Sequence, residues 1–126
     1  MRFLNTLFLL PDIAESNREL VDDTSEMVSY RLTINTDHDV FKGHFPDKPV
    51  VPGVCTISLV RELLEEWSGD TLLLKSIQQC KFTGMIIPDG NYIDLSIKIK
   101  SQNSLYAEVV QSGQIVFKMK ATWVKV

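Results

Sequence analysis

What is scarce in this sequence narrows its chemistry. Only two cysteines occur, Cys55 and Cys80. Two are too few for a disulfide framework, and no CxxC or Cys/His pairing offers a zinc site. Both are expected to be buried free thiols in a reducing compartment. Positive charge is not in excess: 13 Lys and Arg stand against 16 Asp and Glu, for a net charge of −3 and a pI near 5.3. That excludes the basic, phosphate-neutralising surface on which nucleic-acid affinity rests. Long apolar runs are missing too. In MRFLNTLFLLPDIAES, Asn5 and Thr6 interrupt the apolar stretch and no small-x-small cleavage site follows cleanly. The stretch also falls far short of the ~20 residues that span a bilayer. It is expected to be the first structured segment of a cytoplasmic protein, with no membrane partner. No repeat, low-complexity tract or linker divides the 126 residues, so one domain over 1–126 is expected.

What is present is patterned. EMVSYRLTIN (26–35) alternates apolar and polar positions, the period of a half-buried strand. From Val54 to Trp67, Ile57, Val60, Leu64 and Trp67 recur at helical spacing, and Leu59 and Leu63 widen the stripe beyond one face. Such a helix has to be covered on most sides. Pro52-Gly53 precedes it and Ser68-Gly69 is a plausible stop. The rest reads as strands over 71–85, 92–100, 104–111 and 115–126, separated by PDGN, SQN and SGQ. Connections this short force neighbouring strands to pair antiparallel. The predicted class is α+β, with one antiparallel sheet and one well-buried helix. An open sheet edge would remain, and pairing with a second copy would cover it.

Between the first of these strands and the helix lies FKGHFPDKPVVPGV, which holds three of the five prolines in the chain. Prolines 46, 49 and 52 stiffen the loop, so the imidazole of His44 can be held in place. Histidine suits proton transfer near neutral pH. The helix start offers unpaired N–H donors and a positive dipole end, which would stabilise charge building on a carbonyl oxygen. Gly53 leaves room for a substrate to approach the backbone.

GHFPDKPVVPGV is similar to the G-H-F-P-x-x-P-x-x-P-G-V signature of the β-hydroxyacyl-acyl-carrier-protein dehydratases, and CKFTGMIIPDG resembles their second block. The resemblance runs from about residue 20 to the end. It implies a hotdog fold, in which a curled antiparallel sheet wraps one central helix and two copies join their sheets in a homodimer, or further into a trimer of dimers. It implies that His44 removes the C2 proton of a (3R)-hydroxyacyl thioester. Backbone amides around Gly53 and Val54 would bind the thioester carbonyl, and Phe45, Pro52, Ser58 and Phe82 would line the substrate site. The acyl group would arrive on the phosphopantetheine of acyl carrier protein, with no cofactor or metal of the enzyme's own. Tunnel depth would depend on Ile57, Val60, Phe82 and Met85. Lys42, Lys48, Arg61, Lys75 and Lys81 are candidates for docking the acidic carrier.

The pattern departs at one place. The family carries Glu or Asp fourteen positions after the histidine, and here that position is Ser58. A serine hydroxyl cannot do a carboxylic acid's work, and losing a positioned acid commonly costs about 10²–10⁴ in rate. Glu62 lies one helical turn on and could stand in for the acid only if the tunnel is wet at that depth; the preferred reading is a solvated or ion-paired residue near Arg61, Glu65 and Glu66. Cys55 reads as packing rather than a nucleophile, and His38 as a loop residue between two acids. Three functions stay open: a dehydratase, an accessory acyl-binding subunit paired with a homologue that supplies the carboxylate, and a thioesterase. The third is disfavoured because VPGVCTIS offers no water-activating Asp, Glu or Gln.

Overall fold

The computed structural model describes residues 2–10, 16–22, 25–42 and 49–126. Its elements in chain order are β1 (Phe8–Leu9), β2 (Ser16–Asp22), β3 (Ser25–Ile34), a 3-10 turn (Asp39–Phe41), α1 (Gly53–Ser68), β4 (Leu72–Phe82), β5 (Ile93–Lys100), β6 (Ser104–Gln111) and β7 (Gln114–Lys125). The strands form one antiparallel sheet in the order β1-β3-β5-β6-β7-β4, and β2 also pairs with β3. This is the curled sheet around a single helix expected from the sequence.

Strict alternation makes the sheet two-faced. Ile93, Leu95, Ile97 and Ile99 of β5 are buried, as are Leu105, Ala107 and Val109 of β6 opposite them. Asp94, Ser96, Lys98 and Lys100 of β5 alternate with them and are only partly buried or exposed. Inside the curl, α1 buries Cys55, Thr56, Leu59, Val60, Leu63 and Leu64, so its apolar stripe is covered on most sides. At its C-terminus Gly69 takes a left-handed conformation (φ 77°) and donates its N–H to the Glu65 carbonyl at 2.8 Å. Glycine adopts that conformation without a Cβ clash. Glu65 then ties the helix to the next strand, its carboxylate accepting the Leu72 N–H at 2.9 Å.

Bulges shape the far edge. In β7, Val109 pairs with Phe117 and Val110 with Ile115, which leaves Val116 as the extra residue. In β4, Lys75 and Gln78 are extra residues of the same kind. Among the described residues β4 pairs only with β7, and its outer edge is open.

Several expectations change here. The strand expected over 71–85 stops at Phe82, because the bulge captures the chain beyond it. The N–H groups of Thr83 and Gly84 both donate to the Val116 carbonyl, at 3.1 and 3.3 Å, and the Thr83 hydroxyl donates to the Ile115 carbonyl at 2.7 Å. Cys55 is buried, but Cys80 is exposed, since β4 has one neighbour and its bulges break the in-out alternation. β1, β2 and the 3-10 turn were not foreseen.

Glu62 is neither solvated nor paired with Arg61. It is fully buried, and Oε1 accepts the Phe3 N–H at 2.7 Å with Arg2 Nε 3.9 Å away. This bond docks the N-terminal segment, with its buried Leu4, Leu7 and Phe8, onto the helix. Oε2 has no partner among the described residues. Among them, too, no helix is long and apolar enough to cross a membrane. Glu62→Ala should lower unfolding free energy in urea by about 1–3 kcal/mol, the cost of leaving a buried partner unmade. Glu62→Gln keeps an acceptor for Phe3 and should cost less than about 1 kcal/mol.

Candidate active site

The described part of the site is built on the helix start. Pro52 is the N-cap, with φ −60° and ψ 139°, and contributes no side-chain bond. No acidic residue occupies the first turn. A helix leaves its first N–H groups unpaired unless a cap intervenes, and among the described residues neither the Gly53 nor the Val54 amide has a hydrogen-bond partner or a competing carboxylate in the first turn. The dipole adds positive character at the same point.

Phe82, the last residue of β4, lies directly on Gly53. A Cβ at Gly53 would stand 2.6 Å from Phe82 Cζ. Phe117, its cross-strand partner in β7, packs against the Phe82 ring, with centroids 4.9 Å apart at a tilt of 51°. Glycine therefore serves close approach here rather than an unusual backbone angle, and a Cβ would force the half-exposed Phe82 ring to shift. Around this point Val54, Phe82, Met85, Ile87 and Ile115 are all exposed large apolar side chains.

The chain from Thr83 to Tyr92 is irregular, yet it is fastened. Val51 N–H donates to the Ile86 carbonyl at 2.9 Å, joining the segment before the helix to this loop. Gln111 then clasps Ile87 on both sides: Oε1 accepts the Ile87 N–H at 2.9 Å and Nε2 donates to the Ile87 carbonyl at 2.8 Å. Gln111 was not singled out from the sequence. The signal was present, because it takes the inward position after Leu105, Ala107 and Val109, where the alternation calls for an apolar residue.

The other expected site residues are placed as follows. His44 and Phe45 lie outside the described residues, as does Lys48. The segment holding them is bounded by buried Phe41 on one side and buried Val51 on the other. Just before it, His38 caps the 3-10 turn, its Nδ1 accepting the Val40 N–H at 3.0 Å. An accepting Nδ1 carries no proton, and His38 is a structural residue. Ser58 is half-buried on the helix, five residues or roughly 7–8 Å beyond Gly53. It shares a stripe with Cys55 and Glu62. Burial pushes the Cys55 thiol up from its ordinary value and the Glu62 carboxylate adds to this, so the thiol stays protonated and is a poor nucleophile. Val60 is in the closed core and Ile57 is half-buried, whereas Phe82 and Met85 are exposed. Of the docking candidates, Lys42, Lys75 and Lys81 are exposed, while Arg61 is committed to Glu65 at 2.9 Å.

Comparison with known proteins gives a consistent answer. The family model described as ApeI-like, ApeI dehydratase, matches residues 20–120. A 3-hydroxyacyl-[acyl-carrier-protein] dehydratase FabZ of Clostridium perfringens is 31% identical over 128 residues, covering 87% of this chain and 86% of its own. The FabZ of Clostridium acetobutylicum is 28% identical over 88 residues, covering 64% of this chain and 61% of its own length. Among solved structures, the dehydratase heterocomplex ApeI:P from Xenorhabdus doucetiae is similar with a TM-score of 0.69 and 25% identity, over 90% of this chain and 98% of that one.

Gly53→Ala tests the packing at the helix start. Alanine should gain up to about 1 kcal/mol of helix propensity. The clash with the Phe82 ring, which is packed against Phe117, should cost about 1–3 kcal/mol, so the net effect on urea unfolding is a loss. Adding Phe82→Ala should relieve the clash, giving a double mutant more stable than the two single changes predict by addition.

Proposed function

Because the chain belongs to the ApeI-like dehydratase family, we propose that it removes water from a (3R)-hydroxyacyl thioester carried on acyl carrier protein. The observation that carries the reading is the uncapped helix start, with Gly53 under Phe82, directly after the GHFPDKPVVPGV loop. His44 takes the C2 proton. As the C2–H bond breaks, its electron pair delocalises onto the thioester oxygen, and the amides at Gly53 and Val54 stabilise that charge. The pair then returns to form the C2–C3 double bond as the C3–O bond breaks, and the hydroxyl leaves as water with the proton that His44 took from C2, yielding the 2-enoyl thioester. The exposed apolar side chains of Val54, Phe82, Met85 and Ile87 suit a fatty acyl chain and a partner surface, and Phe45 and Pro52 complete the lining. The reaction needs no metal and no cofactor beyond the phosphopantetheine that carries the substrate.

The active unit in this reading is a homodimer formed along the open β4 edge. That edge exposes Leu73 and Ile77 beside a backbone that pairs with no strand among the described residues, an arrangement natural proteins cover. Exposed Lys75 and Lys81 on the same strand are available to an acidic carrier.

Ser58 supports a second reading, an accessory subunit completed by a homologue that brings the carboxylate. Its hydroxyl can hydrogen-bond the departing oxygen but cannot deliver the proton as a carboxylic acid does. The two readings separate in one assay, which follows 3-hydroxyacyl and 2-enoyl carrier thioesters in both directions. For the dehydratase, purified protein turns over and His44→Ala abolishes turnover. Ser58→Glu then raises the rate by about 10²–10⁴, the usual contribution of a positioned acid. A wild type that is silent alone and active only when mixed with a carboxylate-bearing homologue would establish the accessory role instead.

A further inference from the structure

Gln111 occupies a position that apolar packing would otherwise fill. It is the fourth inward residue of β6, after Leu105, Ala107 and Val109, and it is almost completely buried. Its backbone is held on both sides, paired with Ile93 of β5 and with Gln114 across the tight Ser112-Gly113 turn. The side chain therefore projects from a fixed point. Its carboxamide makes both bonds to one residue, Ile87, in a loop that has no strand partner of its own. A buried polar group without a partner is costly, so the glutamine is tolerated inside the curl because these two bonds are made.

The effect reaches the helix. Ile87 follows Ile86, whose carbonyl accepts the Val51 N–H at 2.9 Å. Val51 immediately precedes Pro52, the N-cap, and then Gly53. The path from the rigid end of β6 to the first helical amides thus has three bonded links and no loose segment. We infer that Gln111 is a positioning residue, which fixes the amides of Gly53 and Val54 through Ile87, Ile86 and Val51. This deepens the proposed dehydratase reading and rests on it for its catalytic consequence. Amide donors act on developing charge only within a narrow distance, and a shift of about 1 Å can cost on the order of 100-fold in rate.

The variant Gln111→Met keeps the unbranched shape and removes both bonds. Per folded molecule, its kcat for a 3-hydroxyacyl carrier thioester should fall about 10- to 100-fold, with KM changed by less than about threefold. A purely structural role would reduce the folded fraction and leave kcat per folded molecule unchanged. The second arm needs no substrate. In ¹⁵N-labelled protein the amide resonances of Val51, Gly53 and Val54 should move in Gln111→Met, while that of Ile97 in the middle of β5 stays in place. Unmoved Gly53 and Val54 resonances, or a kcat within about twofold of wild type, would overturn the inference. If the wild type shows no turnover, the dehydratase reading fails while the resonance arm still decides whether Gln111 sets the helix start. Should Gln111→Met not fold, Gln111→Glu keeps the acceptor for the Ile87 N–H, loses the donor to its carbonyl, and is read by the same two measurements with the same outcomes.

Discussion

The structure depends on one constraint: a helix apolar on most of its circumference has a single sheet to hide it. The helix's buried residues Cys55, Thr56, Leu59, Val60, Glu62, Leu63 and Leu64 spread over roughly 200° of its circumference, too wide an arc for a flat sheet to cover. Only a curled sheet reaches both flanks. Each fully buried aliphatic side chain contributes about 1.5–3 kcal/mol, so the inner rows of β5, β6 and β7 lock the curl around α1. The bulges at Lys75, Gln78 and Val116 let the β4 side bend. The curl leaves β4 with an open edge and brings its last residue, Phe82, against the first residue of the helix.

The site follows from that meeting. A helix start would ordinarily be satisfied by a side-chain cap or by water. Here Pro52 provides no side-chain bond, and the sheet supplies position instead of partners. Phe82 limits how closely the helix start can approach, and its ring packs against its cross-strand partner Phe117. The Val51–Ile86 bond anchors the preceding chain. The first helical amides are thereby held in place, and among the described residues they have no hydrogen-bond partner. At the other end of α1, Glu62 and Glu65 hold the N-terminal segment and the start of β4, so the helix is fixed at both ends.

Much of this was legible in the sequence, for identifiable reasons. The helix and the strands after it follow periods of 3.6 and 2, and their observed limits fall within a residue or two of those expected, apart from β4. Its expected end at Met85 failed because Thr83 and Gly84 leave the ladder for the Val116 carbonyl, a contact made by a bulge that no local pattern announces. Cys80 was misjudged because burial on an edge strand depends on which neighbour is present. Glu62 is ion-paired but buried rather than solvated: helix charge patterning pointed to Arg61, whereas its partners are the Phe3 N–H, 59 residues away in sequence, and the Arg2 guanidinium. The GHFP motif located the helix start correctly, while Gln111 went unnoticed although a polar residue at an inward strand position is a readable anomaly.

The central claim is that the helix start binds the thioester carbonyl. It is tested most directly by a crystal structure of the protein with an amide analogue of 3-hydroxyacyl-phosphopantetheine, in which the scissile sulfur is replaced by NH. The account predicts the analogue's carbonyl oxygen at about 2.7–3.1 Å from the amide nitrogens of Gly53 and Val54, beside Phe82. An analogue bound with that oxygen directed away from the helix start, and those amides in contact with water alone, would contradict it.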